Sequence, residues 1–263
     1  MRIFAVRDWF FRLWYSYVQY LDKNADVLFM NYGYYNPDDS VDLDPEYEAN
    51  RFSVQLYHKL IGDIDISNMN ILEVGSGRGG GLSYLAKYFS PASALGIDIN
   101  KGATSFCNRY YRQKNLSFAN GDAQDLSFLD NNSFDIIINV ESSHRYPQVH
   151  LFFEEVYRLL RPNGYFLFTD FRYKEKLHEL KQQLDESGLT VLKEDVITPY
   201  VLKALDADDA RKRLLVKKLV PPGIRHIALK FSATIGTKTY NKFASNAFEY
   251  YQFILQRPDV SGC

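Results

Sequence analysis

Apolar and polar positions change their rhythm along this chain. Over residues 3–22, Phe11, Trp14, Val18 and Leu21 recur at helical spacing with Arg7, Arg12 and Asp22 interspersed, which predicts an amphipathic helix. Residues 31–48 are rich in Asn, Tyr, Pro and Asp and read as a loop, with a second helix expected at 48–62. From residue 70 short apolar runs alternate with helical stretches. The runs are Asn70–Val74, Ala94–Ile97, Leu116–Ala119, Phe134–Val140 and Tyr165–Thr169, with helices expected over 80–89, 101–113 and 149–160. Then come a helix near 174–187, a strand at Thr190–Lys193 and a polar, Lys/Arg-rich helical region over about 198–219. Pro221, Pro222 and Gly223 break that region, and a helix over 224–245 and a strand at Phe248–Gln256 close the pattern. Strands alternating with helices predict an α/β fold whose parallel sheet is joined by crossover helices.

Composition bounds this picture. The chain has 263 residues, enough for one large domain with an appended cap or for two small ones. Lys plus Arg number 31 and Asp plus Glu 32, a net charge of −1 that gives no whole-molecule attraction to nucleic acid. The two cysteines, Cys107 and Cys263, supply neither a disulfide framework nor metal-ligand spacing, so a reducing cytoplasm and no metal are expected. The apolar N-terminus is interrupted by Arg7, Asp8 and Arg12 and does not read as a signal peptide; no run of 18 apolar residues predicts a transmembrane helix. The 20 Tyr, 19 Phe and 2 Trp fit either a Phe/Tyr-rich core or an aromatic pocket for a large apolar substrate. The aromatic N-terminal helix either packs on the domain or makes peripheral contact with a membrane surface.

Chemistry gathers at the strand ends. The first strand runs into Glu73-Val-Gly75-Ser-Gly77-Arg-Gly79-Gly80-Gly81, where glycines permit a sharp turn and a ligand's approach to bare backbone. Gly75, Gly77 and Gly80 also satisfy G-x-G-x-x-G, a weak dinucleotide signal when it stands alone. The second strand ends at Asp98, at the separation of a ribose-binding acid; the plainer reading is a helix N-cap. Asp122 follows the third strand in Gly121-Asp122-Ala123, suited to an adenine amino group, or else simply a turn residue. Ligands bind along such an edge of an open parallel sheet, and three successive strand ends there carry suitable groups.

As a set these segments resemble the class I methyltransferases that use S-adenosylmethionine (SAM). So do Phe134-Asp135, Leu159-Leu-Arg-Pro-Asn-Gly164 and Tyr250-Tyr-Gln-Phe-Ile-Leu255. The resemblance covers roughly residues 50–256. It implies a Rossmann-like, seven-stranded, mostly parallel sheet whose final strand runs antiparallel between the fifth and sixth, with helical caps. It implies SAM as cofactor and S-adenosyl-L-homocysteine as product: Glu73 near the methionine amino group, Gly75, Gly77 and Gly79 beneath the methionine and ribose, Asp98 on the ribose hydroxyls, and Asp122 with Ala123 at the adenine. Ile99 and Asn139 join these cofactor-contacting positions. Glu73 and the placing of Asp122 count against a nicotinamide cofactor.

The fourth strand ends in Asn139-Val-Glu141-Ser142-Ser143-His144-Arg145-Tyr146-Pro147, and Asp170 follows the fifth. This is similar to small-molecule O-methyltransferases carrying Glu-Ser-x-His here. A nearer resemblance is to mycobacterial enzymes that O-methylate phthiotriolone and phenolphthiotriolone lipids, which share the stretches Gly79–Leu85 and Pro91–Ser93. It implies a hydroxyl on a lipid, polyketide or related secondary metabolite as acceptor. A hydroxyl is a poor nucleophile until its proton is being removed, and His, with a reference pKa of about 6.5, suits that task. His144 is the expected base, with Asp170 or Glu141 fixing its tautomer. The plainer reading is a loop histidine that caps or packs. Arg145 stands where a second His often sits in the small-molecule enzymes.

Phe29-Met-Asn31-Tyr-Gly33-Tyr-Tyr35 resembles a lid over SAM and substrate, with Tyr34 as candidate cofactor contact or as part of an aromatic turn. Lys203, Arg211, Lys212, Arg213, Lys217 and Lys218 make 198–219 basic, either a solvated face or a dock for a carrier-bound substrate or an anionic membrane. The organisation expected is an N-terminal helical cap and lid over 1–69, a SAM-binding domain over 70–256 with a substrate-cap insertion at about 198–246, and a tail over 257–263. C- or N-methylation of a similar small molecule, and a non-catalytic SAM-binding scaffold of a biosynthetic complex, stay open as alternatives. Oligomeric state has no signature in the sequence.

Overall fold

The structure is a computed structural model that describes Asp22, residues 24–39 and residues 41–259. The expected aromatic helix, apart from Asp22, lies outside the described residues, as do residues 260–263 of the tail. Seven strands form one sheet: β1 (Asn70–Val74), β2 (Ser93–Asp98), β3 (Leu116–Asn120), β4 (Phe134–Val140), β5 (Leu160–Tyr173), β6 (Thr190–Val196) and β7 (Phe248–Gln256). Their order is β3-β2-β1-β4-β5-β7-β6. The pairings among β1 to β5 are parallel, and β7 runs antiparallel to both β5 and β6. This is the Rossmann-like class I methyltransferase sheet, with the reversal at β1/β4 that places ligands at the carboxyl ends of the strands.

Alternation along the central strands divides the core between two faces. Ile71, Ile136, Ile138 and Leu167 pack with α2 (Arg51–Ile61) and α3 (Gly80–Tyr88), and the same layer takes Cys107 from α4 (Lys101–Tyr110). Leu72, Ile137, Phe166 and Phe168 pack on the opposite face with α5 (Val149–Leu159) and α6 (Leu177–Glu186). Both faces are covered, which is why the strands read as near-continuous apolar runs. The short α1 (Pro45–Glu48) interrupts the early loop. Much of the aromatic excess is core: Phe166 and Phe168 of β5 and Phe253 of β7 stack in succession with centroids 5.3 and 6.2 Å apart.

Between β6 and β7 lie α7 (Thr198–Leu219), α8 (Arg225–Phe231) and α9 (Lys238–Ala244). The single helix expected over 224–245 is two. Ala233 and Gly236 adopt left-handed backbone conformations (φ 48° and 83°) that end α8, and Thr237 starts α9 by accepting a hydrogen bond from the Tyr240 N–H. No helix among the described residues is long and apolar enough to cross a membrane.

Candidate active site

The turn after β1 is held by positive backbone angles at Gly75 (φ 78°), Gly77 (φ 54°) and Gly79 (φ 74°). At Gly75 a side chain is also excluded by space: an added Cβ would lie 2.2 Å from Ser142 Oγ, bringing the β4 loop hard against the glycine turn. Ser142 belongs to a polar cluster there. Asn139 Nδ2 donates to Val74 O (2.8 Å) and Ser142 Oγ (2.7 Å), and Tyr146 Oη lies 2.7 Å from Ser142 Oγ. Asp98 accepts from the Gly77 N–H (2.9 Å) and the Asn100 N–H (2.8 Å), tying the β2 end to the same turn. The N-cap of α4 is Asn100, not Asp98, since its side chain accepts from Gly102 and Ala103.

Glu73 is buried behind the glycines. Its Oε1 accepts from the Tyr57 hydroxyl (2.6 Å), while its Oε2 is buried with no hydrogen-bond partner among the described residues. Burial pushes its carboxyl up to about 8, against the opposing effect of the Tyr57 hydrogen bond. Tyr57, on α2, carried no sequence signal, because nothing in a helical pattern tells which tyrosine will meet a distant strand end. Ile99 is 46% exposed beside Asp98, and Ala123 is buried. Asp122 is exposed and accepts from the Gln124 N–H in a local turn (3.0 Å).

A strap crosses the glycine turn. Arg78 donates through Nε to Val27 O (2.9 Å) and through Nη2 to Asp22 (2.8 Å), both side chains being almost fully buried, and its guanidinium lies 3.7 Å from the Phe106 ring centre. The Gly80 N–H donates to Leu28 O (3.2 Å). Tyr34 lies behind this strap, 2% exposed, with its ring 5.1 Å from that of Tyr200 and its N–H donating to Phe52 O. It therefore sits in the wall between α2 and α7 and not on the glycine turn.

The β4 and β5 ends bring together His144 and Asp170, which are 26 residues apart in sequence. His144 Nδ1 lies 2.7 Å from Asp170 Oδ1, and the His144 N–H donates to Asp170 Oδ2 (2.9 Å). Asp170 also accepts from Ser143 Oγ (2.7 Å) and the Phe171 N–H (2.8 Å), and it pairs with Arg172 (3.1 Å). Burial alone would raise the Asp170 carboxyl; His144 and Arg172, with those hydrogen bonds, overcome it and hold the group far below the usual carboxylate range. His144 is lowered from its ordinary value, chiefly by burial, with Asp170 opposing and Arg145 and Arg172 adding to the shift. An ionised Asp170 fixes the proton on Nδ1 and leaves Nε2 as the acceptor. That Nε2 accepts from Arg145 Nε (2.9 Å), a contact with no signal in the sequence.

Of the two carboxylates considered as partners of the ring, Asp170 meets it. Glu141 has a left-handed backbone (φ 48°), and its Oε1 accepts from the Tyr32 N–H (2.6 Å) and the Tyr250 hydroxyl (2.7 Å), joining strap, β4 and β7. Burial pushes its carboxyl up to about 8. A cavity of about 160 Å³ opens beside these residues. His144, Arg145, Glu141 and Phe171 line one side, α7 supplies Arg211, Lys212 and Leu215, and α8 supplies Ala228 and Phe231. Arg211 pairs with Asp208 (2.6 Å), Arg213 with Asp209 (2.7 Å) and Lys218 with Asp26 (2.7 Å), so much of the basic run is locally neutralised. No group of three or more metal-ligating side chains occurs among the described residues.

A family model described as "Methyltransferase domain" matches residues 72–168. A fatty-acid O-methyltransferase of Mycolicibacterium smegmatis is 38% identical over 248 residues, covering 94% of this chain and 89% of that protein. A phthiotriol/phenolphthiotriol dimycocerosates methyltransferase of Mycobacterium leprae is 32% identical, covering 92% of this chain and 90% of the relative. In fold the chain is similar to geranyl diphosphate C-methyltransferase from Streptomyces coelicolor A3(2), solved with S-adenosyl-L-homocysteine, at a TM-score of 0.65 and 17% identity over 92% of this chain and 97% of that one. With a glycine turn, an acid at each of three successive strand ends and full-length similarity to such relatives, the chain belongs to the class I SAM-dependent methyltransferase family.

Proposed function

We propose that this enzyme transfers a methyl group to an oxygen of a lipid-type or polyketide acceptor, with His144 as general base and Asp170 fixing its tautomer. The observation carrying the reading is the His144–Asp170 contact of 2.7 Å at the wall of the cavity, two residues beyond the Ser142 that abuts the glycine turn. SAM, when bound, supplies an electrophilic methyl group and leaves as S-adenosyl-L-homocysteine.

The residues present suit that cofactor. An ammonium group would satisfy the orphaned Glu73 Oε2 and favour ionisation of a carboxyl that burial otherwise holds near 8. At Gly77 an added Cβ would meet only Met30 Sδ, at 3.6 Å, so that backbone is open to a ligand. Each Asp98 oxygen keeps a lone pair for a ribose hydroxyl beyond the N–H it already accepts. Exposed Ile99 offers apolar surface to a flat ring. We assign Glu73, Gly75, Gly77, Gly79, Asp98, Ile99, Asp122, Ala123 and Asn139 to the cofactor. Tyr34 acts through the strap, which it supports from behind, and Glu141 holds the strap to the sheet. The helices α7 to α9 form the acceptor cap.

A hydroxyl acceptor must take Arg145's place at His144 Nε2 before it can give up its proton. His144 titrates below its ordinary value, so the neutral base is present at pH 7, and the rate should fall only as pH drops below about 6.5. His144→Ala should lower kcat by about 10²–10⁴-fold on a hydroxyl acceptor and abolish that acid limb, with SAM affinity by calorimetry unchanged. An unchanged rate and pH profile would remove His144 from the chemistry. SAM binding with no transfer to any hydroxylated lipid or polyketide would favour the scaffold reading.

A further inference from the structure

Lys212 is not part of the neutralised basic run. It is 9% exposed, it lines the cavity, and its Nζ has no hydrogen-bond partner among the described residues. The nearest carboxylate, Asp208, is 3.8 Å away and already holds Arg211 through both oxygens (2.6 and 2.7 Å). Glu141, across the cavity, has its Oε1 committed to Tyr32 and Tyr250. A buried ammonium whose ion pair to Asp208 is long, and which makes no hydrogen bond among the described residues, is incompletely compensated, and a ligand's anionic group can complete it. Desolvation lowers Lys212 to about 8, which still leaves the ammonium form in excess at neutrality. Arg145 brings a second cation to the same cavity, held by His144 Nε2.

We infer that Lys212, with Arg145, forms an anion-recognising subsite that selects a carboxylate as the methyl acceptor. This deepens the proposed function by narrowing its acceptor oxygen to that of a carboxylate; it rests on the methyl-transfer part of that reading and replaces the general-base step. An acceptor carboxylate gains an O–CH3 bond and loses its negative charge as the S–CH3 bond breaks; no proton leaves the acceptor, so no general base is required. His144 then serves as a positioning residue, its Nε2 aiming the Arg145 guanidinium. A hydroxyl acceptor, in contrast, must lose one proton, to His144. The apolar residues of the cavity, Phe171, Leu215 and Phe231 among them, suit the alkyl body of such an acid.

Decanoate and 1-decanol share an alkyl chain and differ only at the head group. Binding of each to wild type, Lys212→Met and Lys212→Arg is measured by calorimetry without cofactor, and SAM is titrated into the same samples. Wild type should prefer decanoate by about 10-fold or more, the worth of one charge-assisted contact. Lys212→Met should lose that preference by weakening decanoate alone, and Lys212→Arg should restore part of it. Equal binding of the two probes by wild type, or a preference that survives Lys212→Met, overturns the subsite. Failure of SAM to bind any of the three proteins overturns the methyltransferase reading instead, so the two failures are distinguishable.

Discussion

Asp170→Asn should unfold this enzyme about 3–5 kcal/mol more easily than wild type and lower methyl transfer to a hydroxyl acceptor by about 10²–10⁴-fold. The substitution keeps the shape and fails on chemistry. Oδ1 accepts from His144 Nδ1 and the Phe171 N–H; Oδ2 accepts from Ser143 Oγ and the His144 N–H and pairs with Arg172. Whichever way an amide is turned, its NH2 faces donors. The buried Arg172 guanidinium also loses its counter-charge. Urea unfolding measures the first effect and single-turnover rates the second. Since the Asp170 carboxyl is held far below its unfolded value of about 3.9, its contribution is present above that pH and is lost as pH falls further. The stability gap between wild type and Asp170→Asn should therefore be constant near neutrality and close in acid. A gap that does not narrow between pH 4 and pH 2 would assign the loss to packing rather than charge.

Arg78→Met should act on the strap. Removing the guanidinium leaves Asp22 buried without its ion-pair partner, at a cost of about 3–5 kcal/mol if the strap stays closed. Opening the strap lets water reach Asp22 and limits that cost. The expected result is faster hydrogen exchange at residues 26–32, with β1 and β4 amides unaffected, and weaker SAM binding. Pairing the change with Asp22→Leu removes the stranded charge as well, and a double mutant protected better than Arg78→Met alone would establish the coupling. Uniform exchange throughout the sheet would show instead that Arg78 supports the domain as a whole.

Much of this molecule was legible in its sequence, for physical reasons that differ by element. The central strands were readable because both sheet faces are buried there, which forces apolar runs such as Phe134–Val140. The glycine turn and Asp98 were readable because each sits at a strand end, and Asp170 because it lies just past the last pairing of β5 with β4, although β5 itself runs on to Tyr173 along β7. The meeting of His144 with Asp170 followed from adjacent parallel strands. Helix 198–219 hid its interior. A basic run at mixed spacing reads as a solvated face, and only the tertiary fold turns Lys212 inward to the cavity wall while leaving Leu214 68% exposed. The direction of Tyr34 was hidden for a similar reason: an aromatic loop gives none, and Phe52 and Tyr200 set which way it faces. The break at Ala233 was missed because alanine at φ 48° has no local signal and is imposed by the turn around it.

The interior position of β7 bears on how the chain matures. Synthesis delivers β5 and β6 well before residues 248–256, yet the two strands touch each other only through β7. Until that strand has left the ribosome, β5 carries an open edge and Glu141 lacks the Tyr250 hydroxyl. A nascent chain halted before Phe248 can thus bury the β3-to-β5 half of the sheet while its catalytic wall is unfinished. Completion then requires a strand inserted between two existing edges, a pairing of high sequence separation and correspondingly slow closure. Vectorial folding here ends at the active site, and a chaperone that shields the β5 edge would act on yield without touching the chemistry.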